Sequence, residues 1–192
     1  MQSGSFLIFI GSIAIALNKR CSNKNIAFAK LSPPIRSSNP FASGVLVVAV
    51  GRESTKKISQ HVKLDKEYVA TMELGATTET YDTESVPLPN DDFRFTNIDI
   101  KKNENVIRKF IREQEQVPPM DSAKKFGGRK LCDLARKGIE VERQPSIINI
   151  STIEVLEYKW PVLKIRVASS TGTYIRTLGH DIGQSLGCGA YL

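Results

Sequence analysis

Residues 44–50 (GVLVVAV) form an almost unbroken run of branched apolar side chains, the pattern of a strand buried on both faces. Further on, Tyr68, Ala70, Met72 and Leu74 alternate with Val69, Thr71 and Glu73, which predicts a strand with one inward face. Residues 147–156 and 162–168 predict two more strands, joined by a short connection around Trp160 and Pro161. Between them the period changes. Val106, Ile107, Phe110 and Ile111 share a helical face, with Asn103 as the expected N-cap and residues 114–119 as its end. A turn at Gly127-Gly128 precedes a second helix, with Leu131, Leu134 and Ala135 inward and Gly138 as its stop. A final helix begins near Thr173, where Ile175, Leu178 and Ile182 recur at i, i+3 and i+7, and Gly187 ends it. Residues 55–63 suit a short basic helix, and residues 76–92, rich in Thr, Asp, Pro and Ser, read as loop.

Strands and helices thus mix without strict βαβ alternation, and the last two strands follow each other directly. This favours an α+β fold, a mixed and largely antiparallel sheet flanked by helices. The apolar run at residues 6–17 (FLIFIGSIAIAL) is shorter than the ~20 residues that span a bilayer. Its first basic neighbours, Lys19 and Arg20, follow it, whereas a secretory signal carries its charge in front. A buried strand and an aberrant leader both remain open. Residues 18–43 are polar and turn-rich, with Pro33, Pro34 and Pro40 as punctuation.

At 192 residues the chain suits one compact domain, with two small ones possible, and 41% apolar with 24% charged residues is a soluble, globular balance. Its 27 basic and 20 acidic residues give a net charge of +7, which favours a polyanionic partner, nucleic acid before an acidic protein. Cys21, Cys132 and Cys188 are odd in number and form no CxxC pair, which argues for a reducing compartment and against a disulfide scaffold. With His61 and His180 far from any cysteine pair, a zinc site is not expected either. The chain contains no GxGxxG, GxxxxGK[ST] or HExxH, so nucleotide-cofactor and metalloprotease templates lack support.

Four long segments carry a more specific signal: NPFASGVLVVAVGRESTK (39–56), KEYVATMELGATTETYD (66–82), PPMDSAKKFGGRKLCDLARKGIEVER (118–143) and STGTYIRTLGHDIGQSLGCGAYL (170–192). In this order and at this spacing they resemble the TruB family of tRNA pseudouridine synthases. The resemblance covers residues 39–192 and implies the pseudouridine synthase catalytic fold, incomplete at both ends, with residues 1–38 as an atypical segment. It further implies isomerisation of one T-loop uridine of tRNA, without metal or organic cofactor. The glycosidic bond from ribose C1′ to uracil N1 breaks, the base turns, and C1′ rejoins at C5. Such a base must first leave its stack, and a flipped base needs an aromatic platform and polar groups along its edge. On the resemblance, Tyr68 packs against that base, while Tyr174 and Arg176 belong to the TYIR element near the catalytic centre. Arg176 would then pair with the catalytic aspartate, fixing its geometry and keeping it ionised.

At that aspartate the chain departs from its family. Where members read GTLDPxATG or close to it, this chain reads Ser-Ser-Asn-Pro-Phe-Ala-Ser-Gly, and Asn39 stands at the aspartate position. A neutral amide serves neither as carboxylate nucleophile nor as carboxylate base. Impaired turnover is therefore expected. Residues 1–38 also lack the family's opening strand and its His-containing stretch, as a frameshifted or misassigned start, or true divergence into a non-catalytic protein, would produce. The end at GCGAYL likewise reads as a truncated catalytic domain without the small RNA-binding PUA domain.

The basic residues sketch an RNA surface. Lys56, Lys57, Lys63 and Lys66 surround the second strand, and Lys124, Lys125, Arg129 and Lys130 flank the Gly127-Gly128 turn, a segment that resembles the family's tRNA-contacting insertion. Charge runs are commonly just solvated faces, and the resemblance is what favours contact with phosphate here. The leading reading is a TruB-type synthase domain acting on the tRNA T-arm, as a cytoplasmic monomer with no membrane partner. Its alternatives are a non-catalytic tRNA-binding or tRNA-folding protein and a nonfunctional fragment.

Overall fold

The computed structural model describes residues 5–11, 43–50, 52, 56, 64–89 and 98–192. The readings made for residues 12–42 and for most of residues 51–63, Asn39 among them, lie outside that set. Two compact units divide the chain, Met1–Leu64 and Asp65–Leu192. In the first, β1 (Ser5–Gly11) pairs antiparallel with β2 (Gly44–Val50). Phe6 stands opposite Ala49 and Ile10 opposite Val45, so the first half of the N-terminal apolar run forms a strand.

The second unit is built on a five-stranded sheet. Its elements are β3 (Lys66–Leu74), β4 (Ala76–Thr77), β5 (Leu88–Pro89), α1 (Ile100–Arg108), β6 (Glu113–Gln116), β7 (Lys125–Phe126), β8 (Arg129–Lys130), α2 (Leu131–Ala135), β9 (Ser146–Lys159), β10 (Val162–Ser169), α3 (Ile175–Ser185) and β11 (Ala190–Tyr191). In the sheet the order is β11-β3-β10-β9-β6, and every neighbouring pair is antiparallel. The α+β class expected from the sequence is what forms. Registering Met72 with Leu163 and Ala70 with Ile165 puts all four side chains on one buried face. Helices α1 and α3 bring Ile107, Leu178 and Ile182 into the same core.

Three local expectations are corrected. Helix α1 begins at Ile100, so Asn103 lies inside it, and the Asp99 Oδ1 accepts the Lys101 N–H at 3.1 Å as the capping group. Residues 113–116 are strand β6, paired from Glu113↔Asn149 to Gln116↔Ser146, not merely a helix end. Of the polar stretch 76–92, residues 90–92 lie outside the described set; residues 76–89 are mostly loop, yet β4 and β5 pair within them and they bury Thr78 and Asp82.

Two glycine positions decide local geometry. Gly127 and Gly128, at φ +54° and +82°, supply the positive-φ pair that a two-residue hairpin loop requires, and they close β7 onto β8. Gly183 lets α3 lie directly on the chain entering β11. A Cβ there would stand 2.3 Å from the Ala190 nitrogen and 2.4 Å from the Gly189 carbonyl carbon, both backbone atoms. Gly183→Ala is therefore expected to destabilise the second unit by about 3 kcal/mol or more, the upper end of overpacking. At Gly179 the nearest atom is the Leu192 Cδ1, a movable side-chain end at 2.4 Å, so Gly179→Ala should be far milder. Urea unfolding of the two variants checks the contrast.

Candidate active site

Along β3, Tyr68 continues the buried series Ala70, Met72, Leu74, but it is 37% exposed although its register partner Val167 is fully buried. The core face of the sheet opens to solvent there. Partial burial of its ring pushes the Tyr68 phenol pKa up. The same end of the sheet receives α3. Gly183 seats against Ala190, which pairs with Leu74, and Gly179 lies beside Met72. Helix α3 thus runs back along β3, and its first turn, with Tyr174 and Arg176, is directed toward the Tyr68 end.

Arg176 is 4% exposed and Asp82 fully buried. The Arg176 Nη1 donates to the Asp82 Oδ2 at 2.8 Å, and its Nη2 donates to the Asp121 carbonyl at 2.6 Å. The other Asp82 oxygen, Oδ1, accepts from the Thr80 hydroxyl at 2.6 Å and from the Glu84 N–H at 3.0 Å, while the Thr78 hydroxyl donates to the Asp82 carbonyl at 2.9 Å. A buried charge pair whose remaining lone pairs are bonded in this way is held in one geometry. The Arg176 Nε–H is buried and has no partner among the described residues.

Tyr174 precedes α3 in extended conformation, at φ −93° and ψ 104°. No side chain caps the helix there. Instead Gln116, at the end of β6, holds Tyr174: its Oε1 accepts the Tyr174 N–H at 2.8 Å, and its Nε2 donates to the Tyr174 carbonyl at 3.1 Å. Gln116 also borders a cavity of about 280 Å³ lined by Tyr81, Glu115, Arg143, Thr177, His180 and Asp181, among others. There the Tyr81 ring stacks on His180 at 4.0 Å. Burial lowers the His180 pKa and raises that of Asp181 to about 6.

The predicted basic residues separate. Lys125, Arg129 and Lys130 line one concavity, of about 650 Å³, with Arg136 and Lys137 added by the end of α2. Lys124 is tied instead to the start of β9, its Nζ donating to the Ser146 hydroxyl at 2.6 Å. Lys66 donates to the Thr171 hydroxyl at 3.1 Å, beside the Tyr68 end of β3. Lys56 belongs to the first unit, where it is exposed. Sequence reasoning missed Asp82 and Gln116, and it left Arg136 and Lys137 out of the RNA surface. Among the described residues no group of three or more His, Cys, Asp or Glu is placed to hold a metal ion, and no helix is long and apolar enough to cross a membrane.

This fold is that of the pseudouridine synthases. The chain superposes with a TM-score of 0.56 and 28% identity on a chain of the "Crystal Structure of a Cbf5-Nop10-Gar1 Complex", covering 80% of this chain and 35% of that one. It is also similar, at a TM-score of 0.51 and 25% identity, to a chain of the "Structure of H/ACA RNP bound to a substrate RNA containing 2'-deoxyuridine", covering 80% and 33%. Within that class, residues 39–175 match the TruB family pseudouridylate synthase (N terminal domain), and the chain belongs to the TruB family. It is 44% identical over 181 residues to a tRNA pseudouridine synthase B of Protochlamydia amoebophila, and 44% identical over 157 residues to one of Bacteroides fragilis. The matches cover 94% and 80% of this chain, and the chain spans 65% of each relative's length. The 94% match extends N-terminally of Asn39, where the family match begins.

Proposed function

We propose that this chain carries the catalytic domain of a TruB-type tRNA pseudouridine synthase, in the cytoplasm and as a monomer, with the T-arm of tRNA as its substrate. The observation that carries the reading is the buried Arg176–Asp82 pair, in a TruB-family chain, with the Arg176 Nε–H still available to a second acceptor. In this reading the chemistry needs a carboxylate at position 39. Tyr68, on the half-open sheet end, provides the face on which the extruded uracil packs, and Tyr174 borders the same space. The isomerisation breaks C1′–N1 and forms C1′–C5; C5 loses its proton and N1 gains one. Tritium placed on C5 is therefore released to water once per turnover.

Asn39 favours a second reading, RNA binding without turnover, since the amide lacks the carboxylate's chemistry. The test incubates the full chain and its Asn39→Asp variant with a C5-tritiated T-arm stem-loop. Release by the variant supports the synthase reading; binding without release by either protein supports the second and overturns the first.

Both readings place phosphate on Lys125, Arg129 and Lys130, helped by Lys56, Lys66 and Lys124. Each phosphate neutralised releases counterions, so affinity falls with salt in proportion to the contacts made. Replacing Lys125 and Arg129 together by Ala should weaken stem-loop binding and make the slope of log K against log salt shallower by about 1–2. A titration across several salt concentrations measures it, and an unchanged slope removes this concavity from the interface.

A further inference from the structure

Gln116 is 5% exposed, and 58 residues of sequence separate it from the backbone group it holds. Its amide does for Tyr174 what a neighbouring strand would do, accepting the N–H and donating to the carbonyl of one residue. The same carbonyl accepts the Leu178 N–H at 3.0 Å, the first hydrogen bond of α3. The clamp therefore acts where the extended chain turns into helix, two residues before Arg176. Few side chains can replace it: a carboxylate only accepts, and Asn is one methylene shorter.

We propose that Gln116 is a positioning residue for the uridine isomerisation, a role that rests on the synthase reading above. By fixing both backbone polar groups of Tyr174 it sets the phase of the first turn of α3. That phase aims the Arg176 guanidinium at Asp82 and sets the Tyr174 ring beside the base. Misplacement of reacting groups by even 1 Å lowers rates by about a hundredfold. The effect should thus fall on the chemical step and leave in place the RNA affinity that Lys125, Arg129 and Lys130 carry in this reading.

Gln116→Glu separates this role from a merely structural one. A neutral carboxyl can accept and donate as the amide does, whereas an ionised carboxylate can only accept and is set against the Tyr174 carbonyl. The variant should regain the clamp as pH falls. Glu115, Tyr81, Arg143, His180 and Asp181 face the same cavity, and the Arg176–Asp82 pair lies close by in sequence. All of these are present in parent and variant alike, so a pH dependence of the ratio of the two profiles comes from the carboxyl at residue 116 and its coupling to them. Gln116→Met, similar in length and without polar atoms, is the pH-independent control.

In the full chain carrying Asn39→Asp, Gln116→Glu should lower kcat at least tenfold at pH 8 with KM within twofold, and the ratio should return toward one near pH 5.5. Amide exchange at Tyr174, corrected for intrinsic rates and measured on the chain as it stands, should follow the same profile. The inference is overturned by a ratio that does not change with pH, by a KM effect alone, or by protection lost equally across the whole sheet. If the Asn39→Asp chain makes no pseudouridine, the synthase reading fails by itself, and the exchange profile at Tyr174 still decides the clamp.

Discussion

Asn39→Asp is expected to take C5 tritium release from background to at least about 10³ times the rate of the unaltered chain, a barrier difference of about 4 kcal/mol. The reasoning is chemical. Whether the carboxylate of such an enzyme attacks the sugar or removes a proton, it must offer an electron pair that an amide nitrogen and oxygen do not offer at neutral pH. Deamidation will not supply the acid spontaneously. The succinimide route uses the backbone nitrogen of the next residue, and Pro40 has no N–H. The unaltered chain should therefore stay silent through long incubation. Silence of the Asn39→Asp chain as well, on RNA that it binds, would overturn the catalytic reading.

The strands of the central sheet were legible because each has a buried and an exposed face, and period-two alternation records that asymmetry directly. Ala70, Met72 and Leu74 lie on the inner face, as their spacing predicts. Strand β6, Glu-Gln-Glu-Gln, was not legible. It is an edge strand held by backbone pairing to β9, and its side chains carry no apolar signal. The start of α1 was misread because Asp99 and Asn103 are both plausible caps, and only the fold selects between them. Periodicity reveals nothing of the candidate site. Tyr68, Tyr174 and Arg176 were named from family resemblance, and their roles are proposals. Asp82 stayed hidden because a carboxylate among threonines and serines looks like solvated loop. Its ion-pair partner lies 94 residues away, and neither residue signals the other.

Asp82→Asn should destabilise the second unit by about 3–5 kcal/mol and abolish any isomerisation restored at position 39. Asn nearly preserves the shape and its oxygen can still accept from the Thr80 hydroxyl and the Glu84 N–H, so what the substitution removes is the charge and the oxygen that accepts from the Arg176 Nη1. Arg176 would then keep a positive charge at 4% exposure with, among the described residues, only the Asp121 carbonyl bonded to it. An unpaired buried ion is far more unfavourable than the pair it came from. Arg176→Gln, which leaves the Asp82 carboxylate buried alone, should destabilise by a similar amount. Removing both charges together should be much less harmful than the sum of the two, because no unpaired ion remains. Urea unfolding of the four proteins gives the coupling energy, expected at 2 kcal/mol or more. A loss below about 1 kcal/mol for Asp82→Asn, within the range of exposed ion pairs, would mean that solvent reaches Arg176 and that the pair does not organise the site.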